Sequence, residues 1–246
     1  MTILVTRPQP DNEATGASLR ARGFDVLLAP MLRFEPVPLL EDEDADYAAI
    51  IVTSANALRA IEAQLSGHRW LKLPLFTVGD RTAAAARRAG FSKIISAAGD
   101  SQDLRELILA KARGKKREFG RGPLLYLAGA DLSRDLGGEL GEHGLTVVTR
   151  TTYRMVASSD LPPEALEAIA ANQVQAVLHY SARSARVFVD AVRAAGVEIS
   201  ALAVPQCCIS ANVATVLREA GASRVALASS PDENSLFVAV DRALAG

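Results

Sequence analysis

The sequence contains two sets of four similar segments, and the second set runs in rotated order. The clearest pair is TVGDRTAAAARRAGF, which begins at Thr77, and CISANVATVLREAGA, which begins at Cys208. Each reads as a short apolar strand, a turn of small residues, a helix and a final Ala-Gly stop. Internal similarity of this kind indicates repeated structural units. The other pairs begin at Val52 and His179, at Ser96 and Leu227, and at Tyr126 and Leu4.

The order of the segments predicts the domain organisation. The middle of the chain carries one complete set, and the two ends together carry the other. We therefore predict one discontinuous domain, formed by 1–30 and 158–246, and one inserted domain, formed by 39–148. The segments 31–38 and 149–157 read as extended chain with no helix directly after them, and we predict that they pair as a two-stranded β linker.

The apolar runs predict the type of sheet. The runs 49–52, 124–127 and 176–178 are continuously apolar, which is typical of strands buried on both faces of a parallel sheet. A helical pattern follows each run, and this alternation indicates the α/β class. The predicted fold is therefore two similar doubly wound, flavodoxin-like domains with parallel sheets, joined by the β linker.

Composition excludes several classes of function. A net charge of -1 argues against a broad nucleic-acid surface. The two cysteines are adjacent, no apolar stretch opens the chain, and no run is long enough to span a bilayer, so we expect a cytoplasmic protein with no membrane contact. The three histidines are scattered and no CxxC occurs, which predicts no metal site. Glycine-rich nucleotide-binding motifs are also missing.

Small polar residues follow nearly every predicted strand. In open parallel sheets, ligands bind beyond the carboxyl ends of the strands, so these turns are the candidate site. Helix capping alone explains most of them individually. Taken together, their backbone N–H groups and the helix dipoles would favour a ligand rich in carboxylates or phosphates. The turns are 53–56, 79–82, 99–101 and 129–131 in the inserted domain, and 6–8, 181–183, 210–212 and 229–231 in the other.

Several segments, taken in order, resemble those of uroporphyrinogen-III synthases. They are LVTRP, TSANALRAI, VGDRTAAAARRAGF, AGDSQDL, YLAGADLSRDL and TTYRMV. The resemblance covers nearly the whole chain. It implies an enzyme, a cyclising lyase, that closes the linear tetrapyrrole hydroxymethylbilane with loss of water and inversion of the terminal ring. It also implies that no cofactor is needed and that the carboxylate-rich substrate lies in a cleft between the domains. Because the free substrate closes without inversion, such an enzyme acts mainly by positioning.

The resemblance also implies site residues. Tyr153 falls on the family's tyrosine, which is proposed to help the substrate hydroxyl leave. Phenols are weak acids, so this help should be modest. The predicted substrate-binding residues are those on matching motifs, Arg7, Ser54, Thr82 and Arg134, and the turn residues Gly129, Ser181 and Asn212.

Other interpretations stay open at this point. The chain could be a non-catalytic two-domain binding or regulatory module for a small anionic ligand, since that architecture also serves such proteins. It could also be a family member that has lost activity, because the turn after Ile209 reads Ser-Ala-Asn-Val where the family usually has glycine and threonine. We expect a monomer in each case.

Overall fold

The structure is a computed structural model that describes residues 1–39, 46–113, 119–132 and 134–245. The chain divides into two compact units. We call Met1–Phe34 with Val156–Gly246 the split unit, and Glu35–Met155 the inserted unit. The strands are β1 (Thr2–Val5), β2 (Asp25–Leu28), β3 (Leu32–Pro36), β4 (Ala49–Val52), β5 (Pro74–Thr77), β6 (Lys93–Ser96), β7 (Leu124–Gly129), β8 (Val147–Ala157), β9 (Val174–His179), β10 (Gln206–Cys208) and β11 (Val225–Leu227). The α-helices are α1 (Asp11–Ala21), α2 (Ala55–Leu65), α3 (Asp80–Arg88), α4 (Ser101–Ala112), α5 (Leu136–Gly141), α6 (Pro163–Ala170), α7 (Ala182–Ala194), α8 (Glu198–Ala203), α9 (Ala211–Glu219) and α10 (Glu233–Ala245).

The split unit contains a five-stranded parallel sheet in the order β11-β10-β9-β1-β2. Strand β1 of this sheet is apolar on both faces. Leu4 packs into a cluster with α7 and α9, whereas Ile3 and Val5 pack into a second cluster with α1 and α10. Burial on both faces is the reason for the continuous apolar run in the sequence.

The second sheet has six strands in the order β3-β8-β7-β4-β5-β6, and β4, β5, β6 and β7 lie wholly within the inserted unit. The contacts from β8 to β6 are parallel. Alternate residues of β4 again face opposite cores, since Ile51 packs with α4 and α5 whereas Ile50 and Val52 pack with α2 and α3. The α/β class with parallel sheets is therefore confirmed.

Matching segments occupy matching places in the two sheets. The order β6-β5-β4-β7-β8 repeats the order β11-β10-β9-β1-β2 strand for strand. In the split unit, numbering the strands along the chain gives the order 5-4-3-1-2, which is the flavodoxin-like order read from the other edge. The helices of the clearest repeat pair end alike, because Gly90 and Gly221 adopt φ of +95° and +99°. Such angles favour glycine after a helix.

Strand β8 is longer than the segment 149–157 predicted as a linker strand. It begins at Val147 and pairs with β7 before it reaches β3, which borders it on the other side. The N–H of Val37 donates to the carbonyl of Thr152 at 2.7 Å, next to an ion pair between Arg154 and Glu35 at 2.8 Å. The two units divide within β3 and within β8.

Within the described residues, no helix has both the length and the apolar character needed to cross a membrane.

Candidate functional site

Tyr153 lies across Gly129 at the carboxyl edge of the six-stranded sheet. The two residues are register partners on β8 and β7, and the N–H of Ala130 donates to the carbonyl of Tyr153 at 2.8 Å. A Cβ built on Gly129 would be 2.7 Å from Cζ of the Tyr153 ring and 2.9 Å from its hydroxyl oxygen. The half-buried side chain also packs against a hydrophobic cluster that includes Leu125 and Leu127. The missing side chain at Gly129 therefore provides the room that the ring occupies.

A β-bulge sets this alignment. The register of β7 with β8 shifts between Ala128, which faces Thr151, and Gly129, which faces Tyr153. The extra residue, Thr152, is fully buried, and its hydroxyl donates to the carbonyl of Ala128 at 3.1 Å. Bulges re-aim side chains and are common beside active sites. Without the register shift, Thr152 would face Gly129 in place of the tyrosine.

A second phenol lies close to this edge. Tyr126 is buried in β7, and its hydroxyl lies 3.1 Å from the hydroxyl of Thr53, the first residue after β4. Burial raises the pKa of Tyr126, and the phenol of Tyr153 raises it further, whereas the bond to Thr53 opposes the shift. Tyr126 therefore stays protonated at neutral pH. Tyr126 was not among the residues predicted from the sequence, although a polar aromatic within an otherwise apolar strand was a usable signal.

Ser54 and Thr82 occupy the first turns of neighbouring helices. The hydroxyl oxygen of Ser54 accepts a hydrogen bond from the N–H of Asn56 at 3.2 Å, so it caps α2. Thr82 is buried on α3, whose N-cap residue Gly79 has no side chain to offer. Helix capping therefore explains why a serine stands at position 54. At the start of α3, by contrast, the N-cap residue makes no side-chain hydrogen bond to the first N–H groups.

Arg134 is held by a neighbouring carboxylate. Its Nε donates to Glu139 on α5, and this bond raises the pKa of Arg134 and lowers that of Glu139. Arg105 of α4 reaches the other oxygen of Glu139 at 3.2 Å. The charge of Asp100, the N-cap of α4, also favours protonated Arg134. The guanidinium of Arg134 is thus already partly neutralised by the protein.

Arg7 occupies a similar position in the split unit, directly after β1. Its guanidinium donates to Asp11 at 3.0 Å and to Glu233 at 3.2 Å, and it lies 4.6 Å from the centre of the Tyr180 ring. Glu233 also accepts hydrogen bonds from the hydroxyls of Thr15 at 2.5 Å and Tyr180 at 2.9 Å. Burial raises the pKa of Tyr180, with a smaller contribution from the charge of Glu233. Two carboxylates therefore surround one arginine.

The last two predicted residues also lie at helix starts of the split unit. Ser181 caps α7 by accepting a hydrogen bond from the N–H of Ser184 at 3.0 Å. Asn212 is exposed in the first turn of α9. The N-cap residue of α9, Ser210, makes no side-chain cap hydrogen bond, so α9 begins as α3 does.

Comparison with known proteins identifies the family. A family model described as uroporphyrinogen-III synthase HemD matches residues 13–238. The chain belongs to the uroporphyrinogen-III synthase HemD family. These enzymes are cyclising lyases of haem biosynthesis. A uroporphyrinogen-III synthase of Synechococcus elongatus is 27% identical over 198 residues, which are 76% of this chain and 73% of that protein.

Two solved uroporphyrinogen-III synthases share the fold. A mutant enzyme from Thermus thermophilus has a TM-score of 0.59 and 20% identity, and the match covers 100% of this chain and 99% of that one. The enzyme from Helicobacter pylori has a TM-score of 0.63 and 16% identity, with 98% of each chain covered. At these identities the matches show a common fold along the whole chain.

The structure brings some of the predicted site residues together. Tyr153 and Gly129 are in direct contact, whereas Arg7 and Arg134 contact internal carboxylates. Glu233 could not be predicted as a partner from the local sequence because it lies 226 positions from Arg7 in the chain. In the described part of the chain, no three His, Cys, Asp or Glu residues are grouped so that they could hold a metal ion.

Proposed function

We propose that the protein closes hydroxymethylbilane into uroporphyrinogen III, with loss of water and inversion of the terminal pyrrole ring. The observation that carries this proposal is the family match, which extends over residues 13–238. The placement of Tyr153 at the carboxyl edge of a parallel sheet supports it, because ligands of such sheets bind at that edge.

In the proposed reaction, the Tyr153 hydroxyl donates a hydrogen bond to the departing hydroxyl of the substrate. The methylene group left behind is cationic, and the substituted carbon of the terminal ring attacks it. The resulting spiro intermediate breaks and recloses with the ring inverted. Because this substrate closes without help in solution, the protein supplies mainly the geometry that favours attack by the substituted carbon.

We propose that main-chain N–H groups hold most of the substrate carboxylates. The helices α3 and α9 support this view, because their N-cap residues Gly79 and Ser210 make no side-chain cap hydrogen bonds. The first N–H groups of a helix have no partners within the helix, and its dipole favours anions there. Arg7 and Arg134 support it indirectly, since each already binds a protein carboxylate.

The direct test supplies freshly prepared hydroxymethylbilane and separates the product isomers. Inverted uroporphyrinogen III in excess over the spontaneous isomer would agree with the proposal. If only the uninverted macrocycle forms, the catalytic proposal fails. Retained tetrapyrrole binding, measured by thermal shift, would then favour a binding module or a family member without activity.

The role of Tyr153 is tested by Tyr153→Phe. We expect turnover to fall by about 10²-fold, the lower end for general-acid catalysis, because the phenol is a weak acid. Tyr47→Phe is the matched control, because Tyr47 is a buried tyrosine of the same unit that precedes β4, at the amino edge of the sheet. Unchanged kinetics in Tyr153→Phe would remove this residue from the mechanism.

The finer organisation stays a prediction from the sequence. It includes the domain limits 1–30 with 158–246 and 39–148, the cleft between the domains that would hold the substrate, the monomeric state and the cytoplasmic location. A complex with product would test the cleft, and sedimentation equilibrium would test the monomer.

A further inference from the structure

We propose that Gly129 is a positioning residue for Tyr153, which deepens the proposed function and rests on it. The sequence analysis selected Gly129 as a substrate-binding residue. The geometry points to another role, in which the missing Cβ of Gly129 lets the phenol lie across the strand. The residue would then act on the reaction through the tyrosine rather than by touching the substrate.

The contacts around Gly129 show what an added side chain would meet. The three heavy atoms nearest to a Cβ built there all belong to Tyr153: Cζ at 2.7 Å, the hydroxyl oxygen at 2.9 Å and Cε1 at 3.1 Å. Ordinary contact begins at 3.4 Å, so a displacement of 3.4 − 2.7 = 0.7 Å would restore ordinary contact between Cζ and the added carbon. The group displaced by a methyl at Gly129 is therefore the phenol that is proposed to act on the substrate.

The backbone of β8 is held where it is. The carbonyl of Tyr153 accepts the N–H of Ala130 at 2.8 Å, and the buried bulge residue Thr152 donates to the carbonyl of Ala128 at 3.1 Å. Because these bonds fix the strand on both sides of the register shift, the displacement falls on the side chain of Tyr153. The phenol is the far end of that side chain, so the strand pairing can persist while the hydroxyl moves.

This arrangement predicts that activity and stability separate in Gly129→Ala. A misplacement of about 1 Å in an active site can cost about 10²-fold in rate. We therefore expect kcat to fall by about tenfold or more, up to the loss expected for Tyr153→Phe, while the urea midpoint stays close to that of the wild type. Gly141→Ala is the matched control, because Gly141 has no atom within 4 Å of a built Cβ and lies at the exposed end of α5.

A double-mutant cycle distinguishes positioning from direct substrate contact. If Gly129 acts through the phenol, the double variant of Gly129→Ala and Tyr153→Phe should turn over within about twofold of Tyr153→Phe alone, because interacting residues are not additive. If Gly129 instead binds the substrate directly, Gly129→Ala should lower the turnover of Tyr153→Phe by the same factor as it lowers that of the wild type, and should also raise KM. That result would overturn the inference.

The position of the phenol can be observed directly with fluorotyrosine and fluorine NMR. The chain has four tyrosines, so four resonances are expected, and the one lost in Tyr153→Phe identifies Tyr153. Gly129→Ala should shift that resonance and leave that of Tyr180 in the split unit unchanged. An unshifted Tyr153 resonance would refute the inference even if activity fell. Failure of the wild type to form the inverted isomer would instead refute the proposed function, which keeps the two failures distinct.

Discussion

His179 should make the stability of the split unit depend on pH between about 4 and 6.5. The ring is fully buried, and its Nε2 lies 2.9 Å from Oε1 of Gln206. The amide nitrogen of Gln206 donates to the carbonyls of Ala201 and Val204, both at 2.8 Å, so Oε1 is left to accept. The neutral ring therefore carries its proton on Nε2. Burial lowers the pKa of His179 to about 4, and the bond to Gln206 opposes the shift only partly.

The sign and size of the effect follow from proton linkage. The folded pKa of His179 is depressed, so the unfolded chain binds this proton first as the pH falls. Stability is complete above the unfolded value of about 6.5, decreases as the pH falls towards 4, and is constant below it. With those two values, lowering the pH from about 7.5 to about 5 removes about 2 kcal/mol, and the full loss is about 3 kcal/mol.

The assay needs a probe for each unit, and the sequence supplies both. The chain has a single tryptophan, Trp70, which lies in the inserted unit, and two cysteines, Cys207 and Cys208, which are buried in the split unit. Urea unfolding of the split unit is therefore followed by pulse labelling of the thiols with dithiodipyridine, which reacts in mild acid. The quantity of interest is the unfolding free energy of the wild type minus that of His179→Gln at each pH.

His179→Gln keeps a side chain able to reach Gln206 but cannot titrate. Carboxylates contribute equally to both proteins, so they cancel in the difference. We expect the difference to fall by about 2 kcal/mol between about pH 7.5 and about pH 5. A His143→Gln variant, changed in the inserted unit, should leave the thiol-labelling curve of the split unit as in the wild type. A difference for His179→Gln that stays flat within about 0.5 kcal/mol would show that the buried ring does not resist protonation.

Two further variants test packing and charge. Gly122→Ala should destabilise the inserted unit by about 1–3 kcal/mol, because an added Cβ would collide with the backbone oxygen of Asp46. Trp70 fluorescence in urea measures this loss, and an unfolding midpoint equal to that of the wild type would contradict the predicted collision. Glu233→Gln should destabilise the split unit by about 1 kcal/mol through loss of its ion pair with Arg7, and high salt should reduce this loss. Thiol labelling in urea measures it, and a loss of stability that does not change with salt would show that the charge of Glu233 is not responsible.

Local patterns in the sequence predicted the α/β class and the parallel sheets correctly. Continuous apolar runs such as 49–52 indicated strands covered on both faces, and both faces of β4 are buried. The Ala-Gly pairs predicted the helix ends correctly because Gly90 and Gly221 adopt a left-handed backbone conformation that other residues rarely adopt. These signals are local, and a parallel sheet with flanking helices makes them repeat along the chain.

The details of the candidate site depended on information that such patterns do not carry. The bulge at Thr152 is one extra residue in one strand, and it decides whether Tyr153 or its neighbour faces Gly129. Nothing in the local pattern distinguishes a bulged strand from a regular one of the same composition. The partner of Arg7 was equally hidden, since Glu233 joins it only when the two ends of the chain meet in one sheet unit.

The two arginines bear on how a flexible polyanion could be held. Arg7 follows β1 and Arg134 follows β7, and these strands occupy equivalent places in the two sheets. Each guanidinium is partly neutralised by carboxylates of its own unit, including Glu233 in one and Glu139 in the other. A free arginine would form a strong ion pair with any carboxylate of the proposed substrate and so would stabilise many wrong arrangements along with the right one. In the binding mode that we propose, the internal carboxylates weaken that attraction, and directional contacts from N–H groups at helix starts favour one ring geometry over another.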